Sequence, residues 1–280
     1  MTDRVRLAGL EFDLIRQEQL IEQVTDAIRR GSGGTIITPN VDICRRTRRD
    51  PDTRLLVHAA SIVVPDGMPL LWAAWLAGRP LLQRITGADL IFSLSAAAAA
   101  NSWPIYVLGG LPGADGSPGA AELAAGRIEA RYEGIKVVGA YSPPFPFDAK
   151  AGDITGIRAA LADTQPKIVF VGLGFPKQER LIARLCGDLP GTWFVACGAA
   201  IPIAAGQLNR AHPLVQRMGL EWGYRLINEP RRLARRYLIH DIPFAIRLLI
   251  ASALRRGDAP SPDTARTLAE ANTRAADTRA

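Results

Sequence analysis

Apolar residues fall along this chain in two rhythms that alternate almost to its C-terminal quarter. Val5 to Ile15 alternates apolar and polar positions around Gly9, the pattern of a β-hairpin. Apolar residues at 20, 21, 24, 27 and 28 then mark one face of a helix over 19–30, stopped by Gly31. Short β-branched runs predict strands at 35–38, 61–64, 105–108, 136–139, 167–171 and 193–197. Between them, helical spacing predicts helices through Arg48 and over 52–60, 68–77, 90–100, 119–132, 152–162 and 177–189. Strand and helix in strict turn imply an α/β fold: a Rossmann-like, mostly parallel twisted sheet with helices on both faces, preceded by the hairpin.

Past Asn209 the rhythm ends, and a helical appendage with no further strand is expected. Three regions follow: an α/β domain over 1–209, a basic helical appendage over 210–256, and a solvated tail over 257–280 that lacks large apolar side chains. Net charge sharpens this division. The chain carries +7, and ten arginines against three acids between Arg210 and Arg256 account for all of it. Such a local basic device suits nucleic acid, an anionic membrane surface or a phosphorylated substrate. Ile242 to Leu254 holds one charge, Arg247, and is too short to cross a bilayer. It is expected to lie in a membrane interface, to fold onto the core, or to make a homo-oligomer contact.

Three widely spaced cysteines, Cys44, Cys186 and Cys197, give neither a disulfide framework nor a zinc site. With no apolar signal segment and no long uncharged apolar run, the expected setting is the cytoplasm.

Polar groups cluster just after three strands, where open α/β sheets collect ligands. The first set is Thr38 and Asn40. The second is Asp66, a lone carboxylate between Pro65 and Gly67, which is either simple turn chemistry or a general base. The third is Gly172-Leu-Gly174-Phe-Pro-Lys177-Gln178-Glu179, a glycine turn opening a helix whose backbone N–H groups would attract phosphate. Arg84 and Thr86 lie in a polar loop expected at the same end of the sheet. Asp50-Pro-Asp52 spells a D-x-D string, read as a helix cap at Asp52 in preference to a metal site. His58, His212 and His240 share no ligand spacing, so no metal or other cofactor is expected. Arg225, Arg232, Arg235 and Arg236 follow helical spacing, and their guanidinium forks match phosphate oxygens.

Taken together, Thr38-Pro-Asn40, Pro65-Asp66-Gly67, Arg84-Ile-Thr-Gly87-x-Asp89, Leu173-Gly-x-Pro-Lys-Gln-Glu179, Cys197-Gly-Ala-Ala200 and Leu220-Glu-Trp-x-Tyr-Arg-Leu-x-x-Glu-Pro-x-Arg232 occur in a known order. Over roughly residues 5–240 the chain resembles WecG/TagA/CpsF-type bacterial glycosyltransferases. The resemblance implies an inverting hexosyltransferase that moves a sugar from a UDP-sugar to a saccharide on undecaprenyl diphosphate. It implies Asp66 as base, and Thr38, Asn40, Arg84 and Gln178 in the substrate pocket. Arg225, Arg232 and Arg235 would come from an appendage that closes over the site and meets the lipid diphosphate. The enzyme would sit peripherally on the inner face of the plasma membrane. Ile201-Pro202 stands where relatives carry Phe-Asp, and Arg180-Leu181 where many carry Trp. These departures favour a neutral hexose or uronic acid in exopolysaccharide synthesis, with N-acetylmannosaminyl transfer of the teichoic-acid linkage type as the alternative.

Two other classes fit less well. A dinucleotide oxidoreductase lacks its GxGxxG after the first strand. A nucleic-acid binder is disfavoured because few aromatics interleave with these arginines.

Overall fold

The computed structural model describes residues 3–144, 146–147, 151–209, 212, 223–224, 226 and 234–255, with 151–153 and 255 described for backbone only. The N-terminal alternation forms the expected hairpin, β1 (Arg4–Leu7) antiparallel to β2 (Leu10–Asp13). Six further strands make one sheet: β3 (Gly34–Ile37), β4 (Ile62–Val63), β5 (Pro104–Gly109), β6 (Lys136–Tyr141), β7 (Ile168–Gly172) and β8 (Trp193–Ala196). Their order is β4-β3-β8-β7-β5-β6, and every described pairing within it is parallel.

Because side chains on a strand alternate between faces, each central strand feeds two cores. Trp193 and Val195 of β8 enter one core; Phe194 and Ala196 enter the other. On the first face lie α1 (Gln17–Arg29), α5 (Gly87–Ala100), α6 (Ala120–Arg131) and the short α9 (Ala200–Ala204). The second face carries the hairpin, α2 (Val41–Thr47), α3 (Pro51–His58), α4 (Met68–Leu76), α7 (Ala151–Thr164) and α8 (Lys177–Leu185). Phe170, Val171, Phe194 and Val195 are fully buried, each contributing about 1.5–3 kcal/mol of hydrophobic stabilisation.

Local chemistry moves several element ends from their expected places. The polar loop before α5 is its N-terminus: Thr86 accepts from the Asp89 N–H, and the Asp89 carboxylate accepts from the Thr86 N–H and hydroxyl. This capping box starts the helix at Gly87 instead of Leu90. At α3 the cap is Asp50, not Asp52; its Oδ1 accepts from the N–H groups of Asp52 and Thr53, and Pro51 takes the first helical position. α8 ends at Leu185, four residues early. α9, only five residues long, carries too few apolar positions to declare a period.

Near the C-terminus a π-helical turn, Arg235–Asp241, runs into α10 (Ile242–Arg255). Pro243 cannot donate to Ile239 and would crowd its carbonyl in a tight α turn, which the wider turn avoids. The two form one apolar helix from Arg235 to Leu254, of 20 residues, most of it not buried. It is thus longer than the thirteen-residue apolar stretch, and long and apolar enough to cross a membrane by length and composition alone. α10 packs on α4, and its Leu248 enters the second core. The 209/210 boundary adjoins residues outside the described set, and the 257–280 tail lies outside it.

β4 is one edge of the sheet, and the hairpin covers it, with Asp13 making the contact to its backbone. Asp13 Oδ2 accepts from the Val63 N–H at 2.8 Å, and Oδ1 accepts from Arg4 Nε at 2.9 Å. Asp13 is itself buried, so its removal strands a buried donor. Asp13→Ala is expected to lower stability by about 2 kcal/mol in urea unfolding. Asp13→Asn, which keeps an acceptor for Val63, should lose about half as much. Equal losses for the two variants would show that the Val63 bond is not the contact that matters.

Candidate active site

The C-terminal ends of β3, β4, β7 and β8 border a cleft of about 530 Å³. Thr38, Asn40, Asp66, Gly174 and Gln178 all line it. Thr38 is buried at the end of β3, and Asn40 caps α2 by accepting from the Ile43 N–H at 3.0 Å. The loop carrying Asp66 is pinned at both sides: its N–H donates to Pro39 O, and Pro65 O accepts from the Ile85 N–H. The main chain thereby draws the β3, β4 and pre-α5 loops together, with the half-exposed Asp66 carboxylate at their junction.

Other sequence-predicted residues lie elsewhere. Arg84 and Lys177 are half-buried and do not line the cleft, and Arg235 is exposed. Gly172 is buried beneath the floor, where a Cβ would meet Ile201 Cδ1 at 2.6 Å and Gly198 O at 2.7 Å. Arg225 and Arg232 lie outside the described residues.

In the glycine turn after β7 the Gly174 N–H is already engaged by a side chain. Gln178 Oε1 accepts from both Gly174 N and Gly198 N, each at 3.2 Å, tying the β7 turn to the β8 turn. Its Nε2 donates to Glu179 Oε1 at 2.9 Å. Glu179 is 2% exposed, and its Oε2 has no hydrogen-bond partner among the described residues. Burial pushes this carboxyl up from an ordinary 4.5 to about 7, against the opposing pull of the Gln178 bond, its own backbone and Arg46.

Sequence reasoning named Arg236 among the phosphate-matching arginines but missed Arg46 of α2, Tyr224 and Tyr237. Arg46, Tyr224, Arg236 and Tyr237 line the cleft. Arg46 donates to Phe175 O at 3.0 Å and stacks over the Phe175 ring at 4.8 Å. Asp42 pairs with Arg45, and with Arg236 at 3.6 Å; Asp241 accepts from Arg236 Nε at 3.0 Å and Arg45 Nε at 3.3 Å. Burial and the neighbouring Asp42 raise the Asp241 carboxyl, and the two arginines oppose the rise. The ion-pair group fastens the π turn to α2, whose cap is Asn40. Asp42, Arg45 and Arg46 stand at i, i+3 and i+4, a charged face that was the available signal. Its partner lies nearly two hundred residues away.

The residues that depart from relatives do not line the cleft. Ile201 is fully buried under Gly172, Leu181 is fully buried in the core, Arg180 is exposed, and Pro202 stands outside the lining. Among the described residues no three His, Cys, Asp or Glu side chains gather to hold a metal.

Residues 5–258 match the family described as glycosyl transferase WecG/TagA/CpsF. The chain is also 29% identical, over 211 residues, to an N-acetylglucosaminyldiphosphoundecaprenol N-acetyl-β-D-mannosaminyltransferase of Bacillus spizizenii (strain ATCC 23059 / NRRL B-14472 / W23), covering 75% of this chain and 77% of that protein.

The raised Glu179 carboxyl has a measurable consequence. The folded protein keeps this proton over a pH range in which the unfolded chain has lost it, so stability falls as pH rises from 4.5 to about 7. Glu179→Gln is expected to match the unaltered protein near pH 4.5. Above pH 7 it should be more stable by about 3 kcal/mol, the free-energy equivalent of that displacement. Urea unfolding across this range checks it, and a pH-independent difference would refute the assignment.

Proposed function

The chain belongs to the WecG/TagA/CpsF family of glycosyltransferases, and from that premise we propose that it moves N-acetylmannosamine from its UDP-linked form to N-acetylglucosamine carried on undecaprenyl diphosphate. The observation that carries this reading is the strand-end cleft that unites Thr38, Asn40 and Asp66, in a chain similar over three-quarters of its length to a transferase of that specificity. The case for a neutral hexose or uronic acid rested on Ile201-Pro202 and Arg180-Leu181, and none of these lines the cleft.

In the proposed reaction Asp66 takes the proton from the acceptor hydroxyl. The oxygen attacks the anomeric carbon from the face opposite the nucleotide. The bond to the β-phosphate oxygen breaks, and UDP departs with the electron pair. Thr38 and Asn40, beside Asp66, orient the reacting groups. Arg46 and Arg236 at the cleft wall meet the phosphate charge, joined by Arg225, Arg232 and Arg235 as the family resemblance suggests. Metal ions and cofactors have no part in this scheme.

With a lipid-borne acceptor, the proposed reaction takes place at a membrane surface, and we infer the cytoplasmic side. Ile246, Ile250 and Leu254 recur every fourth residue on α10 and are exposed, as are Trp72 and Trp75 of α4, on which α10 packs. We assign this apolar and aromatic surface to the headgroup boundary, with the appendage arginines on anionic lipid.

One assay tests both parts. UDP-N-acetylmannosamine, UDP-glucose and UDP-glucuronic acid are offered with a diphospholipid-linked N-acetylglucosamine acceptor, either in anionic vesicles or as a short-chain soluble analogue. N-acetylmannosamine should transfer at least tenfold faster than the others. Ile246→Asp/Ile250→Asp should cut transfer at least tenfold on vesicles and leave the soluble acceptor within twofold. Preference for glucose or glucuronic acid would overturn the donor; equal loss on both acceptors would overturn the membrane surface.

A further inference from the structure

Glu179 has no role in the reaction as set out above, yet it is a buried carboxylate joined directly to a residue of the cleft. Its Oε1 accepts from Gln178 Nε2 at 2.9 Å. Gln178 in turn is 4% exposed, lines the cleft, and holds two turns with a single oxygen. An amide side chain can place either its oxygen or its NH₂ on a given side, and its neighbours decide which. On one side two backbone N–H groups, Gly174 and Gly198, require an acceptor. On the other the Glu179 carboxylate requires a donor. Were the amide reversed, NH₂ would face two N–H groups and the carbonyl would face a carboxylate, so both sides would lose their hydrogen bonds at buried positions. When ionised, Glu179 therefore reinforces the orientation that the two backbone N–H groups require, in which Gln178 clamps the β7 and β8 turns.

That orientation also sets what Gln178 offers to a ligand. Its oxygen is committed to the two turns and one amide hydrogen to Glu179, which leaves the second amide hydrogen, among the described residues, as its contribution to the cleft. Gln178 spans the ends of β7 and β8, whereas Asp66 follows β4. In the strand order β3 and β8 stand between β4 and β7, so the two residues come from opposite ends of the row of strands that borders the cleft. Gln178 thus stands on a different flank of the cleft from the base. In an in-line displacement the attacking oxygen and the leaving diphosphate lie on opposite sides of the anomeric carbon, so the end of the cleft remote from Asp66 receives the donor's nucleotide diphosphate.

We propose that Glu179 is a positioning residue for sugar transfer, acting through Gln178 to hold that amide's free N–H toward the nucleotide diphosphate of the donor. The proposal rests on the glycosyltransfer reading above. It also explains why a carboxylate with an unpartnered oxygen is kept in the core, where an apolar residue of equal volume would cost less.

The test is a double-mutant cycle on the full chain with Gln178→Ala, Glu179→Met and their combination, alongside Glu179→Gln, which retains an oxygen able to accept from Gln178. Each protein is assayed for transfer with the best donor and, separately, for UDP affinity by calorimetry; thermal midpoints report folding. Gln178→Ala and Glu179→Met should each lower kcat/KM for the donor at least tenfold while leaving the acceptor KM within twofold. The double variant should be no worse than the weaker single variant, and Glu179→Gln should stay within threefold of the unaltered protein. Losses that multiply in the double variant would overturn the proposal. So would a Glu179→Gln loss as large as that of Gln178→Ala, a readout that holds even if the Met variant fails to fold. If the unaltered protein transfers no sugar, the glycosyltransfer reading fails; the same coupling pattern in UDP affinity would still support, and multiplicative losses there still refute, the Glu179–Gln178 relation.

Discussion

The cleft depends on backbone meeting backbone at the C-terminal edge of the sheet. A Cβ on Gly109 would stand 2.5 Å from Gly172 O, and one on Gly87 would stand 2.7 Å from the Cys197 Cα. Only glycine permits these approaches. They bring the ends of β5 and β7 into contact and seat the start of α5 against the turn after β8. Once those turns are that close, one amide side chain can join two of them, which is the place Gln178 takes. Widen any of these contacts and the floor of the site opens.

The fold was legible because its two faces are both buried. Strand runs such as Ile168–Gly172 and helical stripes such as that of α1 each follow a single period, and strict alternation leaves few topologies. Capping was less legible: Thr86 and Asp89 form a recognisable T-x-x-D signature, yet the polar residues around them read equally well as loop. α9 was invisible because five residues between two glycine turns have no period. The π turn was hidden because its cause, Pro243, lies after it.

The candidate site was legible in part. Thr38, Asn40 and Asp66 follow strands, and strand ends of a parallel sheet converge, so sequence position alone placed them together. Gly172 and Gly174 look alike in sequence, but one packs beneath the floor and the other lines the cleft, a distinction set by neighbours from distant segments. Arg236 was among the arginines expected to meet phosphate, but Arg46 could not be paired with the site from sequence, because its surroundings are tied to Arg236 through Asp42 and Asp241 across most of the chain. That ion-pair group also joins the two functions proposed here. It holds the apolar C-terminal helix against the same α2 whose cap is Asn40, so lipid contact and sugar chemistry share one support. Its buried carboxylates need Arg45 and Arg236 nearby, since an unpaired charge there would be costly.

The central claim is that Asp66 accepts the proton of the attacking hydroxyl. Rapid-quench transfer by Asp66→Asn, set beside UDP affinity and thermal midpoint on the same protein, tests it most directly. The account predicts a transfer rate reduced at least a thousandfold, with UDP affinity within threefold and an unchanged melting midpoint, since general-base loss of this kind reaches about 10²–10⁴. Transfer within tenfold of the unaltered enzyme would remove Asp66 from the chemistry and leave it a residue of the turn.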